Sequence, residues 1–191
     1  MTNEVFYHAS NIGNLKEILP LSTGYGSGER VCYFTPVRAY ALFYLRDMNI
    51  NHVTCAICED GVIVYHEQFP SQLETIYKGR SGYLYVCDGD GLIKAHTNGV
   101  FAAEQSVSVV DVQFVEDVYA EILEAEALGE VRIIRYETLS DDRKQEITEM
   151  MKKYIVKNNF LSSDSLKARF FKDNFQQARE AAEFEAVRNQ V

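Results

Sequence analysis

The chain has 191 residues, 47% of them hydrophobic, which suffices for a sizeable core and excludes a disordered chain. No apolar run reaches the ~18 residues that a membrane-spanning helix needs, so no membrane partner is expected. The formal charge of −9 is uneven: residues 1–138 carry nine basic and nineteen acidic side chains, while from Leu139 onward ten basic face nine acidic ones, and an acidic body of this kind argues against nucleic acid as a partner.

The polar start MTNEV lacks the basic-then-apolar layout of a signal peptide, and a cytoplasmic location is the expectation. Val5 and Tyr7 alternate with Phe6 and His8, which predicts a short strand over 4–8 with His8 at its carboxyl end. A short helix over 12–18 and a polar loop with glycines at 24, 26 and 28 follow. A strand over 31–35 leads into a helix over 36–46, with Pro36 in the first turn, where its missing N–H costs nothing. Residues 52–58 and 62–66 read as a hairpin turning at Glu59-Asp60-Gly61, and Ser71 opens a small helix over 71–78. A strand over 83–87 ends in the turn Asp88-Gly89-Asp90-Gly91, and residues 100–115 alternate as one or two strands around Glu104. From Val115 to Glu130 the spacing is helical, with Val118, Ile122 and Ala125 on one stripe and Gly129 as C-cap. Residues 131–136 fit either a further strand or an extension of the helical part.

After Ser140, a good helix start, the pattern becomes two amphipathic helices: about 140–157, with Ile147, Met151, Tyr154 and Ile155, and about 164–188, with Leu166, Phe170, Phe171 and Phe175. The expected organisation is therefore an α+β domain over 1–138 and a helical extension over 139–191 that packs on the domain or on a partner, a second copy of the chain included. Cys32, Cys55, Cys58 and Cys87 are few and irregularly spaced. Cys55 and Cys58 match C-x-x-C, but residues three apart on a strand point to opposite faces and no second pair completes a zinc site, so no metal is expected.

Two stretches carry chemistry. FYHAS, residues 6–10, offers one histidine and one serine at a strand end, and YFTPVRAYALFYL, residues 33–45, runs from a strand into a helix with Tyr33 and Tyr44 eleven residues apart. Together they resemble the ADP-ribosyltransferase fold of the diphtheria-toxin and poly-ADP-ribose polymerase branch, over roughly residues 4–115. In that branch a strand-end His-Gly-Ser precedes a Tyr at a strand-to-helix junction and a second Tyr further on. The resemblance implies a mixed, mostly antiparallel sheet core and NAD as co-substrate. It implies that His8 bonds a ribose hydroxyl, that Ser10 and the backbone beside it hold the nicotinamide carboxamide, and that Tyr33 and Tyr44 sandwich the nicotinamide ring. Stacking suits that electron-poor ring by about 0.5–2 kcal/mol. The family's third group is a carboxylate on a later strand that stabilises the oxocarbenium-like charge as nicotinamide leaves. Glu104 is the first candidate for it and Glu116 the second. Ala9 stands where the family has glycine, and Ala41 where many members have serine.

The resemblance implies transfer of ADP-ribose from NAD to a protein or small-molecule acceptor. A catalytically silent member of the same fold, acting as a binding module, is the alternative, and Ala9 and Ala41 favour it. A third class places the working surface in the helical tail, with Phe170, Phe171 and Phe175 forming a groove or a dimer face.

Overall fold

The computed structural model describes residues 5–23, 28–50, 52–89, 93–97 and 99–188. The alternation that starts at Val5 runs on to Ser10, so the first strand, β1 (Val5–Ser10), is longer than its apolar pattern indicates and His8 lies inside it instead of at its end. Residues 12–18 form no helix. Asn14 adopts a left-handed backbone with φ 61°, and the buried Tyr85 hydroxyl donates to the Ile12 carbonyl (2.7 Å) while accepting from the Leu15 N–H (3.2 Å). The segment ends in a two-residue strand, β2 (Glu17–Ile18), whose Ile18 is 2% exposed. Burying Ile18 and meeting the Tyr85 hydroxyl outweigh a helix too short to be stable alone.

β3 (Ser22–Thr23) pairs antiparallel with β4 (Arg30–Phe34). Of the loop glycines, Gly24 and Gly26 lie outside the described residues. The helix expected over 36–46 is only α1 (Arg38–Leu42), and Pro36 precedes its Val37 N-cap instead of entering the first turn. Beyond Leu42 the chain tightens into i→i−3 bonds from Tyr44 to Ala41 and Leu45 to Leu42, which let Phe43 and Leu45 both be buried. The hairpin forms as expected from β5 (Cys55–Ile57) and β6 (Ile63–His66), with Gly61 at φ 82° in its turn. Next come α2 (Gln72–Tyr77), β7 (Gly82–Asp88), β8 (Lys94–Thr97), β9 (Val100–Ala103) and β10 (Val107–Val115). Of the turn after β7, Asp90 and Gly91 lie outside the described residues. α3 (Val118–Ala127) buries Val118, Ile122 and Ala125 as its stripe requires, and β11 (Val131–Ile134) resolves the open choice in favour of a strand. The tail contains α4 (Asp141–Lys157), α5 (Leu166–Asn174) and α6 (Gln176–Arg188).

Among the described residues the fold is thus α+β, with mostly antiparallel sheets in the orders β1-β7-β10-β2, β3-β4-β9-β8 and β11-β6-β5. The chain divides into two compact units: the described residues within Met1–Arg46, Cys55–Tyr65 and Leu73–Arg132, and those within Asp47–Thr54, His66–Gln72 and Ile133–Val191. In the first unit the two four-stranded sheets meet where Tyr7 and Thr35 exchange backbone hydrogen bonds of 2.8 and 3.0 Å. Phe6, Ile18, Cys32, Phe34, Tyr85, Cys87, Ala103 and Val107 form one buried cluster there. Arg38 of α1 ties two further elements, donating to Gln113 of β10 at 2.9 Å and to Glu121 of α3 at 3.0 Å.

In the second unit Ser140 caps α4, accepting from the Arg143 N–H at 3.3 Å. The single helix expected over 164–188 is two, separated at Phe175, whose φ of −119° and ψ of 57° interrupt the helix. The break serves aromatic packing: the Phe171 ring lies 4.9 Å from Tyr154, 5.5 Å from Phe160 and 5.7 Å from Phe175, and Phe69 lies 5.1 Å from Phe175. Leu166, expected on the apolar stripe, is 58% exposed instead, because α5 turns Phe170 and Phe171 inward. Phe171→Ala is expected to cost about 3–5 kcal/mol and Leu166→Ala less than about 0.5 kcal/mol, measured by urea unfolding.

Candidate functional site

The Tyr7–Thr35 backbone pair sets β1 against the end of β4, and with that register the His8 ring reaches the main chain of Tyr33. His8 Nδ1 lies 2.9 Å from the Tyr33 carbonyl. A carbonyl only accepts, so Nδ1 carries the hydrogen and donates, and in the neutral ring Nε2 is left as an acceptor. Burial holds the His8 pKa below the usual 6.5, with the Tyr33 bond acting in the other direction, so the neutral ring is the form present at pH 7. Phe6, His8 and Ser10 share one face of β1. Phe6 belongs to the core on that face, and the Phe34 ring lies 5.7 Å from the imidazole.

Ser10 sits two residues on, its Oγ accepting from the Ile12 N–H at 3.1 Å. The end of β1 is joined to the chain beyond α1 in two ways. The Asn11 side chain donates to the Arg46 carbonyl at 3.2 Å, and Gly82 leaves a gap in which an added Cβ would stand 2.7 Å from Leu45 Cδ2 and 3.2 Å from the Ser10 carbonyl oxygen. Tyr44, one residue before Leu45, is therefore carried towards the strand bearing His8 and Ser10.

The two tyrosines differ in setting. Tyr33 alternates with Cys32 and Phe34 along β4, so its ring leaves the strand on the face opposite the core, where it tilts against His96 at 5.4 Å. The Tyr44 hydroxyl donates to that of Tyr40 at 3.4 Å, the two rings meet edge to face at 5.6 Å, and the Arg46 guanidinium lies over the Tyr44 ring at 5.1 Å. Arg46 is 6% exposed and also donates to the Phe43 carbonyl at 3.2 Å. Burial raises the pKa of both Tyr40 and Tyr44, so both phenols are neutral. Ala41, inside α1, is 1% exposed and brings no polar group.

Glu104 begins the exposed bend after β9. Ala102 pairs with Tyr33 and Ala103 with Cys32, which puts Glu104 two residues, about 7 Å of strand, beyond the partner of Tyr33. The bend is held from below by the Cys32 thiol, which lies 3.4 Å from the Ala103 carbonyl and 3.6 Å from that of Gln105, on either side of Glu104. Burial pushes the Cys32 pKa up to about 11, so Sγ keeps its hydrogen and acts as a donor. Glu116 is exposed between the end of β10, which pairs with β7, and Asp117, the N-cap of α3. Of the two carboxylates, Glu104 is the one that directly follows a strand paired with that of Tyr33.

The structure thus brings His8 to the main chain of Tyr33, Ser10 to the turn after Tyr44, and Glu104 to the strand beside β4, while the Tyr33 ring faces His96. Sequence reading missed His96, Arg46 and Cys32. His96 lies on β8, whose exposed Lys-Ala-His-Thr has no apolar alternation to announce a strand. Comparison of the chain with protein-family models, with curated proteins and with solved structures finds no match.

Because the folded pKa of His8 lies below that of the unfolded chain, the unfolded state takes up the proton first as pH falls. Stability is expected to decline as pH drops from about 6.5 through the folded value and to level off below it. Urea unfolding across this range should show the slope in the native chain and a smaller one in His8→Gln.

Proposed function

We propose that the first unit binds NAD as an ADP-ribosyltransferase-like domain and transfers ADP-ribose to a protein or small-molecule acceptor. The observation that carries this reading is the state of His8: a neutral ring with its Nδ1–H committed to the Tyr33 carbonyl, leaving Nε2 as an acceptor suited to a ribose hydroxyl. The Ser10 hydroxyl and the main chain at Ala9 would take the carboxamide and Tyr44 would stack on the nicotinamide, whereas Tyr33 would reach it only by turning its ring away from His96. As the bond from ribose to nicotinamide breaks, its electron pair leaves with the ring, which becomes neutral, and positive charge grows on the ribose. An anion fixed beside that charge lowers the barrier, the role given to Glu104.

The alternative, a silent binding module of the same fold, draws support from Arg46. A guanidinium over Tyr44 occupies an aromatic face that a cationic nicotinamide would use and opposes its charge. Calorimetry of NAD with the native chain and His8→Ala, combined with nicotinamide release by the native chain and Glu104→Gln, separates the readings. The transferase reading expects binding at least ~10-fold weaker in His8→Ala and release reduced about 10²–10³-fold in Glu104→Gln. Binding without release selects the silent module, and absence of heat and of any Tm shift at about 1 mM NAD overturns both.

A further inference from the structure

β7 lies along one side of β10, but on the other side β2 reaches only its beginning. β2 pairs with Val107 and Ser108, and the Val109 N–H donates to the Lys16 carbonyl at 3.0 Å. Over 110–115 that side of β10 has no neighbouring strand among the described residues. Sheet margins are commonly blunted by lysine or proline. Here neither is present, and Asp111 is the one charged residue between Ser108 and Glu116. Val110, Val112 and Phe114 are instead 62%, 48% and 59% exposed. Val112 and Phe114 stand opposite Tyr85 and Tyr83 of β7, and the Phe114 ring lies 5.1 Å from that of Tyr83, so this apolar row carries the core-facing side of the sheet out to its margin.

The main chain there is turned outward. The Val112 N–H donates to the carboxylate of the neighbouring Asp111 at 2.8 Å and to no strand. A strand residue turns its N–H and C=O to the same side, and the orientation repeats every second residue, so Val112 and Phe114 both present these groups at the margin.

We propose that β10 over 111–115 is a homodimer interface, in which the same strand of a second copy pairs antiparallel with it about a two-fold axis at Gln113. This register brings the outward N–H and C=O groups of Val112 and Phe114 to those of Phe114 and Val112 in the second copy. It also sets each valine beside a phenylalanine, a favourable cross-strand pair. The two Gln113 side chains meet at the axis, each with its Nε2 left to donate because Oε1 accepts from Arg38. The two Asp111 carboxylates fall at opposite ends, opposite Val115, so no like charges face each other. The stretch is thus complementary to itself, and a second copy supplies the whole matching pattern by symmetry. Asp111 acts as a guard, since the Val112 N–H must leave its carboxylate to bond the second copy. Nothing in this assignment depends on NAD.

The test is sedimentation equilibrium of the full chain between about 1 and 500 µM; for so short a contact the expected Kd is about 10–100 µM. Val112→Lys and Phe114→Lys, both at exposed positions and with Tm checked, should each weaken association at least ~10-fold, and Asp111→Ala should tighten it. Register is read by cross-linking in a Cys58→Ser background under mild oxidation. Residues facing each other in such a pair have Cα atoms about 4.5 Å apart, within disulfide range, so Gln113→Cys should cross-link and Asp111→Cys should not. A monomer throughout the concentration range, association undiminished in both lysine variants, weaker association in Asp111→Ala, or equal cross-linking at 111 and 113 overturns the proposal.

Discussion

Two backbone hydrogen bonds between Tyr7 and Thr35 hold the first unit in register. β1 belongs to one four-stranded sheet and β4 to another, and among the described residues this pair is an isolated bridge between them. Shifting it by one residue would turn every side chain of β1 to the opposite face. Phe6 would leave the cluster it shares with Phe34, Cys32 and Tyr85, and the His8 ring would no longer face the Tyr33 carbonyl. Core packing and the protonation state of the histidine therefore have one origin. The same apolar surroundings that bury Phe6 keep His8 neutral, and the same register supplies the carbonyl that fixes its tautomer.

A second constraint acts on the carboxylate. An exposed glutamate on a bend gains nothing from its own contacts, so its position is set by the backbone on either side. The Cys32 thiol provides that support from the core, its one hydrogen shared among the carbonyls of Ala103 and Gln105, before and after Glu104, and that of Ile18. A thiol is a weak donor, and this one is held close to the bend because Cys32 pairs with Ala103 and is 2% exposed. The fold thus offers an exposed carboxylate on an anchored main chain.

How much of this is legible in the sequence depends on the range of the interaction involved. The α3 stripe of Val118, Ile122 and Ala125 was readable because one helix face is a local pattern, and all three residues are buried. The hairpin around Gly61 and the Ser140 cap were readable for the same reason. The failures are long-range. Residues 12–18 look helical until Tyr85, some seventy positions away, claims the Ile12 carbonyl. The tail looks like one helix from 164 to 188 until the rings of Phe69, Tyr154 and Phe160 pull Phe171 and Phe175 into one cluster and break it. The site divides likewise. His8, Ser10 and the tyrosines are visible as residue types in order, whereas the tautomer of His8 and the partner of the Tyr33 ring come only from elements paired across the sheet.

Arg46 is where the physics of the site is most demanding. A buried guanidinium must be met by acceptors and aromatic faces, and Arg46 uses the Phe43 carbonyl and the Tyr44 ring. It is also what binds the turn after α1 to β1, since its own carbonyl accepts from Asn11. The residue that brings Tyr44 towards Ser10 thus also claims one face of the Tyr44 ring. A cationic nicotinamide entering beside Tyr44 would have to take the other face or displace the guanidinium, and displacement would strip Arg46 of part of its compensation for burial. The first route costs only the repulsion of two positive charges. On the proposed reading, the charge that Arg46 sets beside Tyr44 is what would separate turnover of a cationic donor from simple binding.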